Sequence, residues 1–325
     1  MGEGRTFTFD DPDRYAAGFG DVRVRLTITG RGDFRARLTK VRLDHLELLG
    51  CCEILPRIAH ISLPSDRIFL SFPLAAYSTC NGFAWRKDDL VFHGRAEGTH
   101  QCSTRVCEWG LISLPPEQLA DSGEALIGRR ITCPELNRIF RLHRQNASRF
   151  QRLFRGACHL AERKTRLIWS AEVARALEQE MLHTIVHGLT ESDAEDRLEA
   201  RHHHAEVMAR FEDALTGCID RRIPLPEICA AIDVPERTLR MCCTEFVGVS
   251  PTRYILLQRL NRTRSALRHA DPSTTSVAEI ARSHQFLELG RFAVTYRATF
   301  GESPSATLQQ DPQTFHADAA TYGTC

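Results

Sequence analysis

Residues 21–115 alternate apolar and polar side chains in short runs. In the run VRVRLTI, the apolar positions Val22, Val24, Leu26 and Ile28 recur every second residue, which places them on one face of an extended strand. Similar runs follow in the order FRARL, LDHLELL, RIAHISL, DRIFLSF, DDLVFH and VCEWGLISL. Glycine, proline, aspartate and asparagine separate them at intervals of roughly ten residues. The pattern predicts an all-β sandwich or a small barrel at the front of the chain.

A helical pattern replaces this alternation after the pair Pro115-Pro116 and continues to residue 217. Leucine, alanine, glutamate and arginine dominate here, and strand-forming residues are sparse. The stretch ELNRIFRLHRQNASRFQRLFRGACHLAERK has apolar residues at helical intervals, namely Leu136, Ile139, Phe140, Leu142, Phe150, Leu153, Phe154 and Leu160. The stretch SAEVARALEQEMLHTIVHGL has Ser170 as its N-cap and Gly188 at its end. We expect these helices to cover the strands or to pair with a second subunit.

The last third of the chain contains two related units. The first is TLRMCCTEFVGVSPTRY, Thr238 to Tyr254, and the second is RFAVTYRATFGESPSATL, Arg291 to Leu308. In the first unit, Leu239 precedes Pro251 by 12 residues. The second unit repeats that spacing with a displacement of 53 residues. Two copies of a short helical unit are therefore predicted.

Each unit is predicted to be a helix, a tight turn and a second helix. In the first unit, LPEICAAIDV is a short helix, Asp233 stands where the turn requires tolerance of a left-handed backbone, and Pro235 opens the helix PERTLRMCCTEF. In the second unit, Ser276 and Glu279 form a capping box at the start of SVAEIARSHQF, and LELGRFAVTYRATF follows. Between the units, SPTRYILLQRLNRTRSALRHA is predicted to be one long helix. Its core stripe consists of Leu256, Leu260 and Leu267.

These residues resemble the AraC/XylS-type DNA-binding domain, in which two helix-turn-helix units are joined by a linker helix. In the first unit and the linker, the matching positions are Thr238-Leu239, Phe246, Gly248, Ser250-Pro251, Tyr254, Arg259-Leu260, Arg264 and Leu267. In the second unit they are Ile280-Ala281, Phe286, Arg291-Phe292, Tyr296, Phe300-Gly301 and Ser303-Pro304. The resemblance covers residues 220–308 and is specific, because two spaced copies match at once. It implies a sequence-specific DNA-binding transcriptional regulator whose partner is double-stranded DNA.

The resemblance also indicates which residues face DNA. A recognition helix lies in the major groove with its N-terminal residues at the base edges, and two such helices on one linker reach successive grooves about 34 Å apart. The corresponding positions here are Pro235, Arg237, Thr238, Arg240 and Met241 in the first unit and Leu289, Gly290, Arg291 and Val294 in the second.

Arginines supply most of the predicted polar contacts with DNA. The predicted base contacts are Arg237, Arg240 and Arg291, since arginine with guanine is the commonest specific pair. The residues predicted to hold phosphates or internal acceptors are Arg253, Arg259, Arg262 and Arg264. For any single arginine, a solvated face or a core salt bridge is the alternative.

Three sites depart from the family's pattern. The family often has glycine where Gln285 precedes Phe286, so a positive φ at this position would strain the glutamine. Val294 stands where a basic residue is frequent, which predicts weaker or apolar contact with the bases. Cys242 and Cys243 replace a larger, often aromatic, pair, and we interpret both as packing residues rather than as a redox switch.

The order of the segments is that of the family's regulators and predicts an α+β chain. By this resemblance, the segments are residues 1–116, a β-rich, cupin-like effector-sensing domain, residues 117–217, a helical dimerisation and linker region, residues 218–310, the DNA-binding domain, and residues 311–325, a flexible tail. The resemblance implies a homodimer, an unidentified small-molecule effector and RNA polymerase as partners. Five strand residues have two alternative interpretations: they line an effector pocket, or they pack in the core. They are Phe72, Tyr77, Trp85, His93 and Trp109.

Composition refines this picture. The chain carries 42 basic and 41 acidic residues, a net charge of +1, which excludes a protein that coats nucleic acid indiscriminately. Residues 220–310 hold 12 basic and 9 acidic residues, so the positive excess is small and local. Only Lys40, Lys87 and Lys164 are lysines, and the arginine bias suits bidentate recognition of bases, although GC-rich coding produces the same bias.

The remaining composition indicates a cytoplasmic protein. The 12 cysteines show no CxxC pair and no regular spacing, so we interpret them as reduced, mostly buried small hydrophobes. The sequence contains no run of 18 apolar residues, and its start lacks the basic and apolar parts of a signal peptide. We expect no membrane span.

Two other functions stay open at this point. One is a DNA-targeted enzyme with metal- or cysteine-dependent chemistry in its N-terminal domain; the other is a protein-interaction module without sequence preference for DNA. His183 and His187 share a helical face without a third ligand nearby. The histidines that form a metal site only if the barrel brings them together are His45, His60, His93 and His100. We predict no catalytic residue, metal or cofactor.

Overall fold

The alternating runs at the front of the chain form strands, as their period predicts. The structure is a computed structural model that describes residues 2–75, 78–94, 98–163, 167–191, 199–217 and 223–310. Its first elements are β1 (Gly2–Phe9), α1 (Pro12–Ala17), β2 (Arg23–Ile28), β3 (Ala36–Arg42), β4 (Glu47–Glu53), β5 (Arg57–Ser62), β6 (Ile68–Pro73), β7 (Ser78–Cys80), β8 (Phe83–Ala84), β9 (Asp89–Phe92), β10 (Thr99–Ser103) and β11 (Cys107–Leu114).

Helices dominate the rest of the chain. The middle elements are α2 (Pro116–Ile127), β12 (Arg138–Arg141), α3 (Arg144–Arg163), β13 (Leu167–Trp169), α4 (Ala171–Glu191) and α5 (Glu199–Gly217). The last elements are α6 (Leu225–Ala231), α7 (Glu236–Val247), α8 (Pro251–His269), α9 (Val277–Ser283), α10 (Leu289–Phe300) and α11 (Pro304–Leu308). Across the described part of the chain, no helix combines the length and the apolar character that a bilayer crossing requires.

The strands form two antiparallel sheets. The larger has the order β12-β9-β6-β11-β4-β3-β1-β13, and the smaller has the order β2-β5-β10-β7-β8. Closing a barrel requires the first and last strands of a sheet to pair. Within the described residues they do not, so the domain is a two-sheet sandwich. The predicted α+β class and sandwich are confirmed, and the barrel alternative is wrong.

The larger sheet is buried on both faces. Along β11, Leu111 lies in the core between the two sheets, together with Ile61 of β5. Its neighbour Ile112 points to the other face and packs in the core that contains Phe154 of α3 and Ile185 of α4. Because both faces are covered, the strand has a nearly continuous apolar sequence instead of an alternating one.

The prediction that residues 135–143 belong to a helix is wrong. Arg138–Arg141 forms β12, which pairs with β9, and α3 begins at Arg144. Ile139 and Phe140 are buried in the strand. A short apolar run of this kind fits a strand and a helix equally well by periodicity, and only the pairing with β9 decides between them.

The candidate pocket residues on the strands belong to the core. Phe72, Trp85 and Trp109 are buried within the two clusters of apolar side chains. His93 is also buried, between the hydroxyls of Ser71 and Thr99 at 2.7 and 3.1 Å, and burial lowers the pKa of His93 to about 4. These contacts favour the packing interpretation. The remaining candidate, Tyr77, lies outside the described residues, as does the predicted tail 311–325.

Helix α5 packs with the C-terminal helices. Val207, Met208 and Phe211 of α5 are buried in one cluster with Leu239 and Phe246 of α7. Sequence analysis places α5 in the region 117–217, whereas this packing joins it to the core of the first helix-turn-helix unit. The dimerisation role of that region stays a prediction.

Candidate nucleic-acid interface

Helices α6 and α7 form the first helix-turn-helix unit. Asp233, in the turn between them, has φ 52°, the left-handed conformation predicted for this position. Pro235 is the N-cap of α7 rather than its first helical residue, so its predicted position shifts by one. Leu239 and Phe246 turn one side of α7 into the core. The opposite side therefore faces solvent.

The solvent-facing side of α7 carries the predicted DNA contacts of the first unit. Arg237, Arg240 and Met241 are exposed, and Thr238 is half-buried. Arg240 Nε donates to a carboxylate oxygen of Glu236, one turn earlier, at 2.9 Å. A pair this exposed contributes little to stability, so the guanidinium can exchange it for another acceptor at small cost.

Helices α9 and α10 form the second unit. The predicted capping box at the start of α9 is confirmed, since the Ser276 hydroxyl accepts from the Glu279 N–H at 3.2 Å and Glu279 accepts from the Ser276 N–H at 2.8 Å. On α10, the rings of Phe292, Tyr296 and Phe300 pack in sequence with centroid separations of 5.5 and 4.8 Å. This aromatic row anchors α10 and leaves its other side in solvent.

The solvent-facing side of α10 carries the predicted contacts of the second unit. Gly290, Arg291 and Val294 are all exposed. Arg291 lies 3.8 Å from the carboxylate of Glu288. Helices α7 and α10 each span 12 residues, and each ends at a glycine with positive φ. The two units are therefore copies in structure as well as in sequence.

Gln285 is strained in the turn of the second unit. Its φ is 63°, the conformation that the family's glycine adopts without cost. We expect Gln285→Gly to raise the free energy of unfolding by about 1 kcal/mol, because relief of a left-handed glutamine exceeds the entropy that glycine adds to the unfolded chain. Urea denaturation of the full chain measures this. The matched control is Asp233→Gly, which we expect to gain less because aspartate tolerates the left-handed region. An equal or larger gain for Asp233→Gly contradicts the argument.

Helix α8 joins the two units through its arginines and leucines. Leu260 and Leu267 of the predicted stripe are fully buried, and Leu256 is partly buried. The Arg259 guanidinium lies over the Phe286 ring, 4.3 Å from its centroid. Arg259 thus ties the linker helix to the turn of the second unit.

The other linker arginines differ in their surroundings. Arg264 Nε donates to Glu302 at 2.8 Å, and its guanidinium lies 4.6 Å from the centroid of the Phe300 ring. It has an internal acceptor, one of the two predicted roles. Arg253 is exposed in the first turn of α8, where its side chain is accessible to a phosphate.

The N-terminal domain contacts both recognition helices at their C-terminal ends. The thiol of Cys102 in β10 lies 3.4 Å from the carbonyl oxygen of Phe246, near the end of α7. Near the end of α10, Arg31 Nε donates to the carbonyl of Ala298 at 3.1 Å, and the Gly32 N–H donates to the carbonyl of Phe300 at 3.2 Å. The first turns of both helices, which carry the predicted base contacts, lie away from these contacts.

The edge strand β2 docks on the linker helix. Asn261 of α8 accepts from the Ile28 N–H at 2.9 Å and donates to the Ile28 carbonyl at 3.0 Å. One amide side chain thus satisfies both backbone groups of a strand residue, as a neighbouring strand would. This contact fixes the linker helix, and with it the space between the two units, against the N-terminal domain.

A buried carboxylate connects three parts of the molecule. Glu212 of α5 is 2% exposed and accepts from Arg25 of β2 at 2.7 Å, His100 of β10 at 2.8 Å and Tyr254 of α8 at 2.6 Å. Burial by itself raises the pKa of Glu212, but the hydrogen bond from His100 and the charges of His100, His60 and Arg25 outweigh it and hold this pKa below its usual value. No local sequence pattern indicates this cluster, because its members are far apart in the chain.

The cysteines of α7 are packing residues. Cys242 and Cys243 are both fully buried, and all described cysteines are free thiols. Burial raises the pKa of Cys242 to about 11 and also raises the pKa of Cys243. A redox switch needs an exposed thiol with a lowered pKa. The packing interpretation therefore agrees with the structure.

The histidines that the sequence offers as candidate metal ligands contact several different partners. The rings of His183 and His187 are in contact, tilted, with centroids 4.3 Å apart, and His204 of the histidine run pairs with Glu245 at 2.7 Å. His60 and His100 are adjacent, with centroids 4.8 Å apart. In the part of the chain that the structure describes, no three histidine, cysteine or acidic side chains come together as a metal site would require.

Comparison with known proteins places the C-terminal helices in a family. Residues 228–310 match a family described as a helix-turn-helix domain. A probable thc operon regulatory protein of Rhodococcus erythropolis is 33% identical over 100 residues, which are 31% of this chain and 30% of that protein. A XylDLEGF operon transcriptional activator of Pseudomonas putida is 36% identical over 92 residues, 28% of this chain and 29% of the activator. The chain thus matches less than a third of the length of these two curated relatives.

Solved structures were matched over more of the chain. The AraC-like transcriptional activator CuxR covers 79% of this chain and 94% of its own, with 16% identity and a TM-score of 0.40. A structure of ToxT from Vibrio cholerae covers 89% and 97%, with 11% identity and a TM-score of 0.29. The family match, the curated relatives and the two copied units agree with the resemblance found in the sequence. The C-terminal helices of this chain are therefore similar to the helix-turn-helix domain of AraC/XylS-type regulators.

Proposed function

We propose that this chain is a sequence-specific, DNA-binding transcriptional regulator. The observation that carries the proposal is the pair of 12-residue helices α7 and α10, which expose their first turns and are held on one linker helix. Two recognition helices on a common frame fit successive major grooves of one face of the duplex. Arg237, Arg240 and Arg291 are the proposed base contacts, and Arg253 is a proposed phosphate contact, with Arg259 in support of the second unit.

We further propose that the N-terminal domain sets the geometry of the two units in response to a small effector. Its contacts reach the end of α7 through Cys102, the end of α10 through Arg31 and the linker through Ile28. An effector that binds one arrangement of these contacts more tightly shifts the population toward it and changes how well both helices fit DNA together. We also propose that the protein forms a homodimer, which places two chains on one operator, and that it contacts RNA polymerase.

Truncation of one arginine on α7 tests the proposal. We expect Arg237→Ala to weaken binding to a duplex selected by the protein by about 1–3 kcal/mol, or roughly five- to 150-fold, because a bidentate pair with guanine is lost. Fluorescence anisotropy at one fixed salt concentration measures both this duplex and a scrambled one. Binding to the scrambled duplex should change much less.

The matched control is Arg175→Ala. This exposed arginine lies on α4, which packs against the larger sheet, and its loss removes the same charge. We expect this variant to bind both duplexes as the unmodified protein does. Equal weakening of both duplexes by Arg237→Ala would assign Arg237 to a phosphate, and no effect on either would remove α7 from the interface.

A further inference from the structure

The two recognition helices have the same register and different chemistry. A displacement of 53 residues aligns Arg237 with Gly290 and Arg240 with Ala293. All four positions are exposed. Where α7 presents two guanidinium groups to solvent, α10 therefore presents a hydrogen atom and a methyl group. One helix can donate to base edges at these positions, and the other cannot.

The exposed side of α10 carries large apolar side chains beside Arg291. Val294 is 71% exposed, and Leu287, just before the helix, is 76% exposed. Among the described residues these are the two most exposed large apolar side chains. At the position equivalent to Leu287, the first unit has Val234, which is 6% exposed. The second unit thus turns outward a residue type that the first unit buries.

The two helices also differ in charge. Over the first turns of α7, two arginines accompany Glu236, which leaves an excess of positive charge. Over the first turns of α10, Arg291 lies 3.8 Å from Glu288, and the two charges balance. Gly290 adds no side chain, and a Cβ at this position would meet no atom within 4 Å. The backbone of α10 is therefore open to a close approach by a ligand.

These properties match different groups in the major groove. Guanine presents the N7 and O6 acceptors that arginine recognises, and thymine presents the C5-methyl group that apolar side chains contact. We propose, on the basis of the function proposed above, that α7 recognises guanine through its arginines, while α10 recognises thymine beside the base contact of Arg291, through contact of Val294 and Leu287 with C5-methyl groups. The two half-sites then differ, because these methyl contacts contribute to recognition where α10 binds.

Base analogues that remove single groups test this assignment. In a duplex selected by the protein, deoxyuridine in place of thymine removes only the methyl group, and 7-deazaguanine in place of guanine removes only the N7 acceptor. Each analogue is placed in one half-site at a time, and anisotropy gives Kd. We expect deoxyuridine to weaken binding about fourfold per contacted methyl group in one half-site, and 7-deazaguanine to weaken binding in the other.

Variants assign the two half-sites to the two helices. With Val294→Ala the ratio of Kd values for deoxyuridine and thymine should fall to about one at the thymine that Val294 contacts, while the response to 7-deazaguanine is unchanged. Arg237→Ala should abolish the response to 7-deazaguanine at the guanine that Arg237 contacts and should keep the response to deoxyuridine. Val173→Ala, a change at an exposed valine of α4, is the matched control and should keep both responses. The thymine assignment is overturned if deoxyuridine has no effect in either half-site, or if it keeps its full effect on the Val294→Ala protein. In both cases the protein still binds its selected duplex specifically. A wild-type protein without preference for any selected duplex contradicts the proposed function itself.

Discussion

Arg57→Met should destabilise the N-terminal domain by about 3–5 kcal/mol, the cost of breaking a buried ion pair by removal of one partner. Arg57 is 1% exposed and lies in the core between the two sheets. Its Nε donates to Glu53 at 2.8 Å, and its two terminal nitrogens donate to the backbone and side-chain oxygens of Gln101 at 2.8 and 3.1 Å. Without it, the Glu53 carboxylate stays buried and, within the described part of the chain, keeps the Tyr15 hydroxyl and the Trp109 N–H as its donors.

Urea denaturation with separate probes for the sheets and the helices measures this loss. The matched control is Arg42→Met, because the pair of Arg42 with Glu47 lies within the larger sheet at 3.0 Å and is largely exposed. We expect the control to leave the unfolding midpoint nearly unchanged. Equal midpoints for Arg57→Met and Arg42→Met would show that the buried pair is not what holds the two sheets together.

Glu212→Gln should lower the free energy of unfolding by about 3–5 kcal/mol. It should also weaken the contact between the N-terminal domain and the DNA-binding units. The carboxylate is the common acceptor for Arg25, His100 and Tyr254, which belong to three separate elements. An amide offers one acceptor oxygen and turns two N–H groups toward donors, so buried groups lose their partners. The cost falls on the interface between the domains, where these donors meet.

Hydrogen exchange locates the effect. We expect Glu212→Gln to increase exchange in β2, β10 and the first half of α8. Asp213→Asn is the matched control, since Asp213 is the next residue along α5 and is exposed. It removes the same charge and should leave exchange unchanged. Increased exchange throughout the chain, or the same pattern for Asp213→Asn, would contradict a localised link.

The C-terminal fold was predictable because local rules and the repeat agree there. The turn residue Asp233 and the capping box at Ser276 each follow from the immediate sequence, whereas the positive φ at Gln285 follows from the family resemblance. The copied spacing then identifies the two units, and burial of Leu239 and Phe292 confirms their inward faces. Short-range physics is sufficient where each element has its own start and stop signals.

Long-range pairing was not predictable from the same rules. Strand β12 has the apolar run of a helix, and only β9 makes it a strand. Strand β10, THQCS, is polar and escapes any hydrophobic pattern, yet it is mostly buried because β5 and β7 pair with it on both sides. The exposed Leu287 likewise cannot be distinguished in sequence from the buried Val234. In each case the environment, and not the residue, decides.

Selection of bound duplexes from a pool of random DNA tests two-helix recognition most directly. Full-length protein is allowed to bind the pool at fixed salt, and the retained duplexes are sequenced. The two exposed recognition helices on one linker predict a bipartite motif, with half-site centres about 10 base pairs apart on one face of the duplex. Arg237→Ala should erase sequence preference in one half-site and preserve it in the other. Two results would contradict two-helix recognition. One is a pool without enrichment, and the other is a single uninterrupted motif that Arg237→Ala leaves intact.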